Sequence, residues 1–415
     1  MKVAGIIAEY NPFHNGHQFH IEETKKATGA DYVIAIMSGD FVQRGAPAIL
    51  DKYHRTHCAL AAGCDLVLEL PLIYSTASAE FFANGAVLSL HKLGVCDFLS
   101  FGTEQGSLKE LSLLADLLLE EPEEYQFILR NQLKGGLSFP AARAIALEEY
   151  LTRHSDCQFS NDFFQQLGGS NNILALEYLK SIKKAKSNLV PLTIKRKNAS
   201  YHDKKLHESI SSATAIRNAL LKNKKIEDIF SSVPKETFHY LAEYQEKQAL
   251  PDFEHLTPYL HSVLLQEKNL AKYLDWDAEL ANRMTHIPWE TMTFTEIVDA
   301  LKSRHLTQTR IQRALLHLLL QLDKEAFTEQ YQRNPIPYLR ILGFRKESSP
   351  LLRAIKEQAS VPIITKPASI TKQILPEDQW VWEMDLKGAK LYQSLLSYHF
   401  GEKLPSPYSR SPILL

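Results

Sequence analysis

The chain has 415 residues, enough for two or three domains and a sizeable core, and its 45% hydrophobic and 23% charged residues are those of an ordinary globular protein. No run approaches the roughly 18 apolar residues of a membrane span, and a formal net charge of −1 excludes attraction to polyanions by bulk charge. Cys58, Cys64, Cys96 and Cys157 have neither CxxC spacing nor the density of a disulfide framework and no basic-then-apolar leader precedes them, so reduced thiols in a cytoplasmic protein are expected.

Residues 3–8 are an apolar run of strand length, and Asn11-Pro12 then forces a turn, because the residue before a proline is pushed out of the helical region. His14, Gly16 and His17 follow and open a polar, helix-compatible stretch that runs to Ala27. Gly16 lets a ligand come close to the backbone, and a new helix points free N–H groups at it, so the corner reads as a phosphate seat carrying two imidazoles. Further strands are expected at 32–37, 65–70 and 97–101, with helical spacing between them at 51–62 and 77–93. Such βαβα alternation predicts an α/β fold, a Rossmann-like parallel sheet with right-handed crossovers and ligands at the carboxyl ends of the strands. There is no GxGxxG, so a dinucleotide site is disfavoured.

A helical region with a Gly-rich break at 134–140 comes next, and the break reads as a connection between two helices or as a lid. Asn171 lies at the start of the next helix, where an amide is ordinarily a cap. A fifth strand at 189–194 delivers Lys195-Arg196-Lys197, and Ser211 to Arg217 starts another helix. From Lys183 to Lys225 there are twelve Lys or Arg against Asp203 and Glu208, a local excess of +10 that suits a polyanion, although a solvated basic face has the same composition. Beyond residue 225 the pattern turns mainly helical without βα alternation, with a small proline-broken mixed element at 333–367 and a helical tail at 378–398, so the domain boundary is placed there, giving 1–225 and 226–415.

His14-Asn15-Gly16-His17 resembles the HxGH signature of the nucleotidyltransferase superfamily that includes the class I aminoacyl-tRNA synthetases. With Glu9-Tyr10-Asn11-Pro12-Phe13 before it and Met37-Ser38-Gly39-Asp40-Phe41-Val42-Gln43-Arg44-Gly45 downstream, the chain is similar to the bacterial tRNA(Met) cytidine acetate ligases. The resemblance implies catalysis by His14 and His17, which would stabilise charge on the ATP phosphates, with Mg²⁺ expected on the nucleotide. It further implies ATP contacts at Ile7, Ala8, Glu9, Tyr10, Asn11, Pro12, Phe13, His14, Asn15, Gly16, His17, Gln18, Phe19 and His20, and at Gly102, Asn171 and Arg196. Ser212-Ala213-Thr214-Ala215-Ile216-Arg217 resembles the second signature, SSTxIR, which implies pyrophosphate contacts by Ser212, Thr214 and Arg217; Ala213 stands where that pattern has its second serine. The implied reaction joins acetate to ATP as acetyl-adenylate and passes acetyl to N4 of cytidine 34, the wobble base of elongator tRNA(Met), with the helical domain holding the RNA.

A metal site or a purely structural pair of histidines remains as the alternative for His14 and His17. Counting His20 as a third metal ligand is disfavoured, because i, i+3, i+6 spacing turns it about 120° from His14 at 3.6 residues per turn. At the level of function the alternatives are an adenylyltransferase acting on a small metabolite, or a non-catalytic ATP-responsive RNA-binding module.

Overall fold

The first strand, β1 (Val3–Ala8), lies in the middle of the sheet because it is apolar on both faces; Val3, Ala4 and Ile6 are all buried. The computed structural model describes residues 1–103, 107–137, 139–154, 164, 169–195, 211–222, 225–303 and 305–415. Four more strands run parallel to β1 as the alternation predicts: β2 (Tyr32–Ser38), β3 (Leu66–Leu70), β4 (Phe98–Thr103) and β5 (Val190–Lys195). Their order across the sheet is β5-β4-β1-β2-β3, so the chain winds outward from β1 to β3 and then restarts beside β1 with β4. The carboxyl ends of β1 and β4 therefore flank a topological switch point, the place where open α/β sheets take ligands.

Side chains alternate between two apolar layers, as the period of a strand requires. Val3, Ile34, Ile36 and Leu68 face one layer with Phe82 and Leu90 of the helix Ala79–Leu93, and Ala4, Ile6, Val33 and Met37 face the other with Tyr53 and Leu60 of the helix Lys52–Ala61. The helix Ala79–Leu93 packs so close to β1 that a Cβ at Gly5 would lie 2.6 Å from Leu90 Cδ1. The described part of segment 134–140 joins the helix Glu123–Lys134 to the helix Phe139–His154, and Glu124 ties the pair together through Arg153 (3.0 Å) and His154 (2.8 Å).

After residue 225 the chain is mainly helical, as expected, but the proline-broken element does not stay apart from the sheet. It supplies β6 (Leu339–Phe344), which pairs antiparallel with β3, and β7 (Ile363–Ile364); β7 and β8 (Ile413–Leu414) both run parallel to β6. The sheet thus crosses the boundary read at residue 225, and so does the core: one apolar cluster contains Ile34 and Leu68 of the sheet together with Trp382 and Leu395 of the helix Gln379–Phe400. That helix is stitched to the first half by Asp385, whose Oδ1 accepts from Leu72 N (2.7 Å), and by Tyr392, whose hydroxyl donates to the Ala48 carbonyl (2.7 Å).

A buried ionic group fastens β6 to β3. Lys52 Nζ lies 2.6 Å from Glu69 Oε1 and 3.4 Å from Asp40 Oδ2, while Arg340 Nη1 lies 3.0 Å from Glu69 Oε2 and its Nη2 donates to Tyr53 Oη at 2.9 Å. Two cations thus face two anions, all nearly excluded from water. Burial opposes the charge on Lys52, yet Asp40 and Glu69 outweigh it and hold the amine above its ordinary value; Lys52 and Arg340 likewise outweigh burial and hold Glu69 below its own.

Candidate functional site

At the end of β1 the chain turns sharply, with Tyr10 in the left-handed region (φ 48°) and a cis peptide at Asn11-Pro12. Arg55, fully buried, holds the corner from beneath by donating from Nη1 to the carbonyls of Glu9 (2.7 Å) and Ser38 (3.0 Å) and from Nη2 to that of Gly39. The ends of β1 and β2 are thereby locked to each other through one guanidinium. Asn11 Oδ1 accepts from Ile49 N at 2.8 Å, which fixes the other side of the turn.

The helix Asn15–Thr28 begins with an unusual cap made by the two histidines themselves. His14 Nδ1 accepts from Gly16 N (3.0 Å), and His17 Nδ1 accepts from His14 N (3.2 Å), which brings the rings into a stack with centroids 3.6 Å apart and planes 19° from parallel. An acceptor at Nδ1 carries no proton, so each neutral ring carries its proton on Nε2 and is a donor there. Phe13, tilted, and Tyr10, edge-on, pack against His17 and hold the stack in place, with centroids 5.5 Å and 4.9 Å away. His20 leaves this pair and bonds Ser100 Oγ of β4 through Nε2 (3.0 Å), and among the described residues no three His, Cys, Asp or Glu groups converge.

A second helix N-terminus enters the same cleft. Ser212 caps the helix Ala213–Leu221 by accepting from Ala215 N (3.1 Å), and Arg217 reaches back to donate to Thr214 Oγ1 (3.2 Å) and to the carbonyl of Asn11. The second motif is therefore joined by a direct hydrogen bond to the corner that precedes the first, 206 positions earlier in the sequence. The missing hydroxyl at Ala213 leaves Ser212 engaged as a cap and Thr214 engaged by Arg217.

The cleft between them has a volume of about 200 Å³. Of the residues named from the sequence, Ile7, Ala8, Glu9, Tyr10, Asn11, His14, Gly16, His17, Phe19, His20, Gly102, Asn171, Ser212, Thr214 and Arg217 line it. Pro12, Phe13, Asn15 and Gln18 do not: Phe13 is buried behind the ring stack, Asn15 Nδ2 donates to the Ser231 carbonyl (2.8 Å), and Gln18 Nε2 donates to Glu22 (3.1 Å). Arg196 lies outside the described residues, as do Lys197, Lys204, Lys205 and Lys224 of the basic segment. Within that segment Lys183 is paired with Asp116 and Lys184 with Glu80, 3.4 Å away, so part of its charge is countered locally.

Sequence reading missed Gln43, Phe82, Phe101, Leu174, Tyr178 and Ile194 as wall residues, and took Lys195 only as part of a basic run. Lys195 and Gln43 had a visible signal, since each follows or ends a predicted strand. Phe101 and Ile194 carried the same signal, as the last residues of the strands read at 97–101 and 189–194, whereas Phe82, Leu174 and Tyr178 had none, because they come from helices that reach the cleft only by tertiary packing. Burial raises the hydroxyl pKa of Tyr178 far above the ordinary phenol value, and that of Tyr10 rises for the same reason.

A parallel sheet with a cleft at its switch point, two helix N-termini and a stacked pair of imidazole donors defines a nucleotide-handling α/β protein. The pattern of the HIGH Nucleotidyl Transferase family matches residues 1–404. Curated tRNA(Met) cytidine acetate ligases are similar to the chain over almost its whole length: that of Thermoanaerobacter sp. (strain X514) is 40% identical over 94% of this chain and 95% of its own, and that of Clostridium kluyveri is 38% identical over 100% and 99%. The crystal structure of apo Thermotoga maritima TmcAL superposes with a TM-score of 0.91 at 33% identity, and the same protein bound with alpha-thio ATP with a TM-score of 0.89, each covering 100% of both chains. The chain belongs to the HIGH nucleotidyl transferase family and, within it, to the tRNA(Met) cytidine acetate ligases.

Proposed function

We propose that the protein activates acetate with ATP and passes the acetyl group to N4 of the wobble cytidine, position 34, of elongator tRNA(Met). The observation that carries this reading is the stacked His14–His17 pair, each ring a donor at Nε2, placed in one cleft with the second helix N-terminus and Arg217. In the first step an acetate oxygen attacks the α-phosphorus and the bond to pyrophosphate breaks, giving acetyl-adenylate. Negative charge builds on the phosphate oxygens as this happens, and the two Nε2–H groups, Lys195 and Arg217 supply preorganised positive partners for it. The free N–H groups of both helices add to the same field. In the second step the cytidine amine attacks the acetyl carbonyl and AMP departs.

Little covalent chemistry is asked of the chain; its work is to hold two substrates in line and to stabilise charge. Mg²⁺ is expected with ATP, but the described residues provide it no ligand set of their own, so it would enter on the phosphates. Residues before 225 carry the ATP chemistry in this reading, and the mainly helical segment after 225 the larger part of the tRNA contact. No helix among the described residues is long and apolar enough to cross a membrane, in keeping with a cytoplasmic enzyme that meets tRNA. Incubation with ATP, radiolabelled acetate and bulk tRNA tests the proposal. Label in N4-acetylcytidine supports it; acetate-independent adenylation of a small metabolite, or ATP binding without turnover, refutes it.

A further inference from the structure

The cleft is furnished for anions, with Lys195, Arg217, the two imidazole donors and two helix N-termini, yet its wall includes one carboxylate. Glu9, at the end of β1, is the sole acidic side chain among the described residues that line it. Its Oε1 is fixed by Gln43 N at 2.9 Å. Among the described residues Oε2 has no hydrogen-bond partner and the carboxylate is in no ion pair; the buried Arg55 beneath it feels its charge but spends its guanidinium N–H groups on the carbonyls of Glu9, Ser38 and Gly39. A bare carboxylate beside bound phosphates weakens nucleotide binding by repulsion, so its presence calls for a step that needs a negative acceptor.

Acetyl transfer contains such a step. The exocyclic amine of cytosine has its lone pair delocalised into the ring and is a poor nucleophile until a proton leaves it. On the function proposed above, we propose that Glu9 Oε2 takes that proton: as N4 bonds to the acetyl carbon and the bond from that carbon to the AMP oxygen breaks, one N4 proton passes to the carboxylate. AMP leaves with the electron pair, and the half-buried Glu9 then releases the proton to solvent through the open cleft.

The other titratable groups of the wall are unsuited to this task. His14 and His17 use Nδ1 to accept backbone N–H groups and carry hydrogen on Nε2, and His20 Nε2 is engaged with Ser100. Lys195 and Arg217 are cations, and burial keeps the phenols of Tyr10 and Tyr178 protonated. Among the described residues of the wall Glu9 is what remains. A carboxylate is also the side chain that pairs with the cytosine amine in direct base recognition, so the same contact would orient the base.

Glu9→Gln preserves an acceptor for Gln43 N and removes the base. With synthetic acetyl-adenylate and unmodified tRNA(Met) supplied to the full chain, single-turnover transfer should fall by about 100-fold or more, within the usual reach of general-base catalysis. The fall in rate on the acidic side of the pH profile should vanish in Glu9→Gln and persist, at a reduced rate, in Glu9→Asp. Transfer at the wild-type rate, or slow transfer with the acidic limb intact in Glu9→Gln, overturns the assignment. An equal collapse of acetate-dependent ATP–pyrophosphate exchange also overturns it, by making Glu9 a nucleotide ligand. A wild-type chain that transfers nothing from acetyl-adenylate removes the proposed function and this role together, whereas an active Glu9→Gln beside an active wild type removes the role alone.

Discussion

Replacing Arg340 by Met tests whether the last part of the chain is bound into the sheet by charge as well as by backbone pairing. The side chain is nearly as long and stays apolar, so packing against Trp382 survives while the guanidinium, 5.3 Å from that ring, is lost. Four buried groups that balance as two cations and two anions become Lys52 against Asp40 and Glu69, a net charge of −1 with Glu69 Oε2 deprived of its partner at 3.0 Å. Removing one member of a buried ion pair costs about 3–5 kcal/mol, because the remaining charge is neither hydrated nor paired. Urea unfolding with linear extrapolation measures the loss. The sharper measurement is the double variant Arg340→Met with Glu69→Gln, which restores neutrality and keeps an acceptor for Lys52; it should recover roughly 1–3 kcal/mol relative to the sum of the two single changes. A loss below about 1 kcal/mol for Arg340→Met, or strict additivity in the double variant, would refute the reasoning.

Three further outcomes follow from the geometry. His14→Asn, which can still cap Gly16 N, and His17→Ala should each lower acetate-driven ATP–pyrophosphate exchange by roughly two to three orders of magnitude and shift unfolding by no more than about 1 kcal/mol; near-wild-type exchange in both would remove them from the chemistry. A chain cut after Lys225 should show no cooperative melt, since it strips β6 from β3 and uncovers the apolar cluster shared with the helix Gln379–Phe400; a soluble fragment with full exchange activity would mean that residues 1–225 fold alone. Asp385 is pushed up to about 7 by burial and by Glu69, against an ordinary value of 3.8. The folded state therefore holds a proton that the unfolded chain releases, so this stability is present below about 3.8 and is lost as pH rises through about 7. Asp385→Asn should flatten that decline in urea titrations across the same window, and an unchanged slope would place the proton elsewhere.

What could be read from the sequence was what lies close together in it. β1, the turn at Asn11-Pro12 and the imidazole pair occupy fewer than twenty consecutive positions, so a strand, a corner and a helix start were visible as one object. The strands of the parallel sheet stood out because buried parallel strands are short apolar runs between helical spacings, and β1 was read to the residue. β6 was different. Leu339 to Phe344 contains Arg340 and Gly343 and sits among prolines, and its partner lies 271 positions earlier, which no local pattern can announce. The same distance concealed Phe82, Leu174 and Tyr178 as walls of the cleft: each has the composition of an ordinary core position and becomes a site residue only because its helix crosses the switch point. The cap made by His14 and His17 was hidden too, since spacing shows two rings near each other but not which nitrogen each uses.

The pairing of β3 with a strand 271 positions later sets a timetable for the protein in the cell. At 5–20 residues per second, roughly 14–54 s separate the emergence of Glu69 from the ribosome from that of Arg340. Throughout that interval the nascent sheet has an open side at β3, with a row of unpaired backbone groups and an apolar face not yet covered by the helix Gln379–Phe400. An edge of this kind invites pairing with another growing chain on the same messenger. Lys52 and Glu69, already 2.6 Å apart in the finished fold, place charge on that edge before its partner arrives and so guard it during synthesis. Slowing translation between residues 70 and 339 should accordingly increase aggregation of the nascent protein without altering the stability of the finished one.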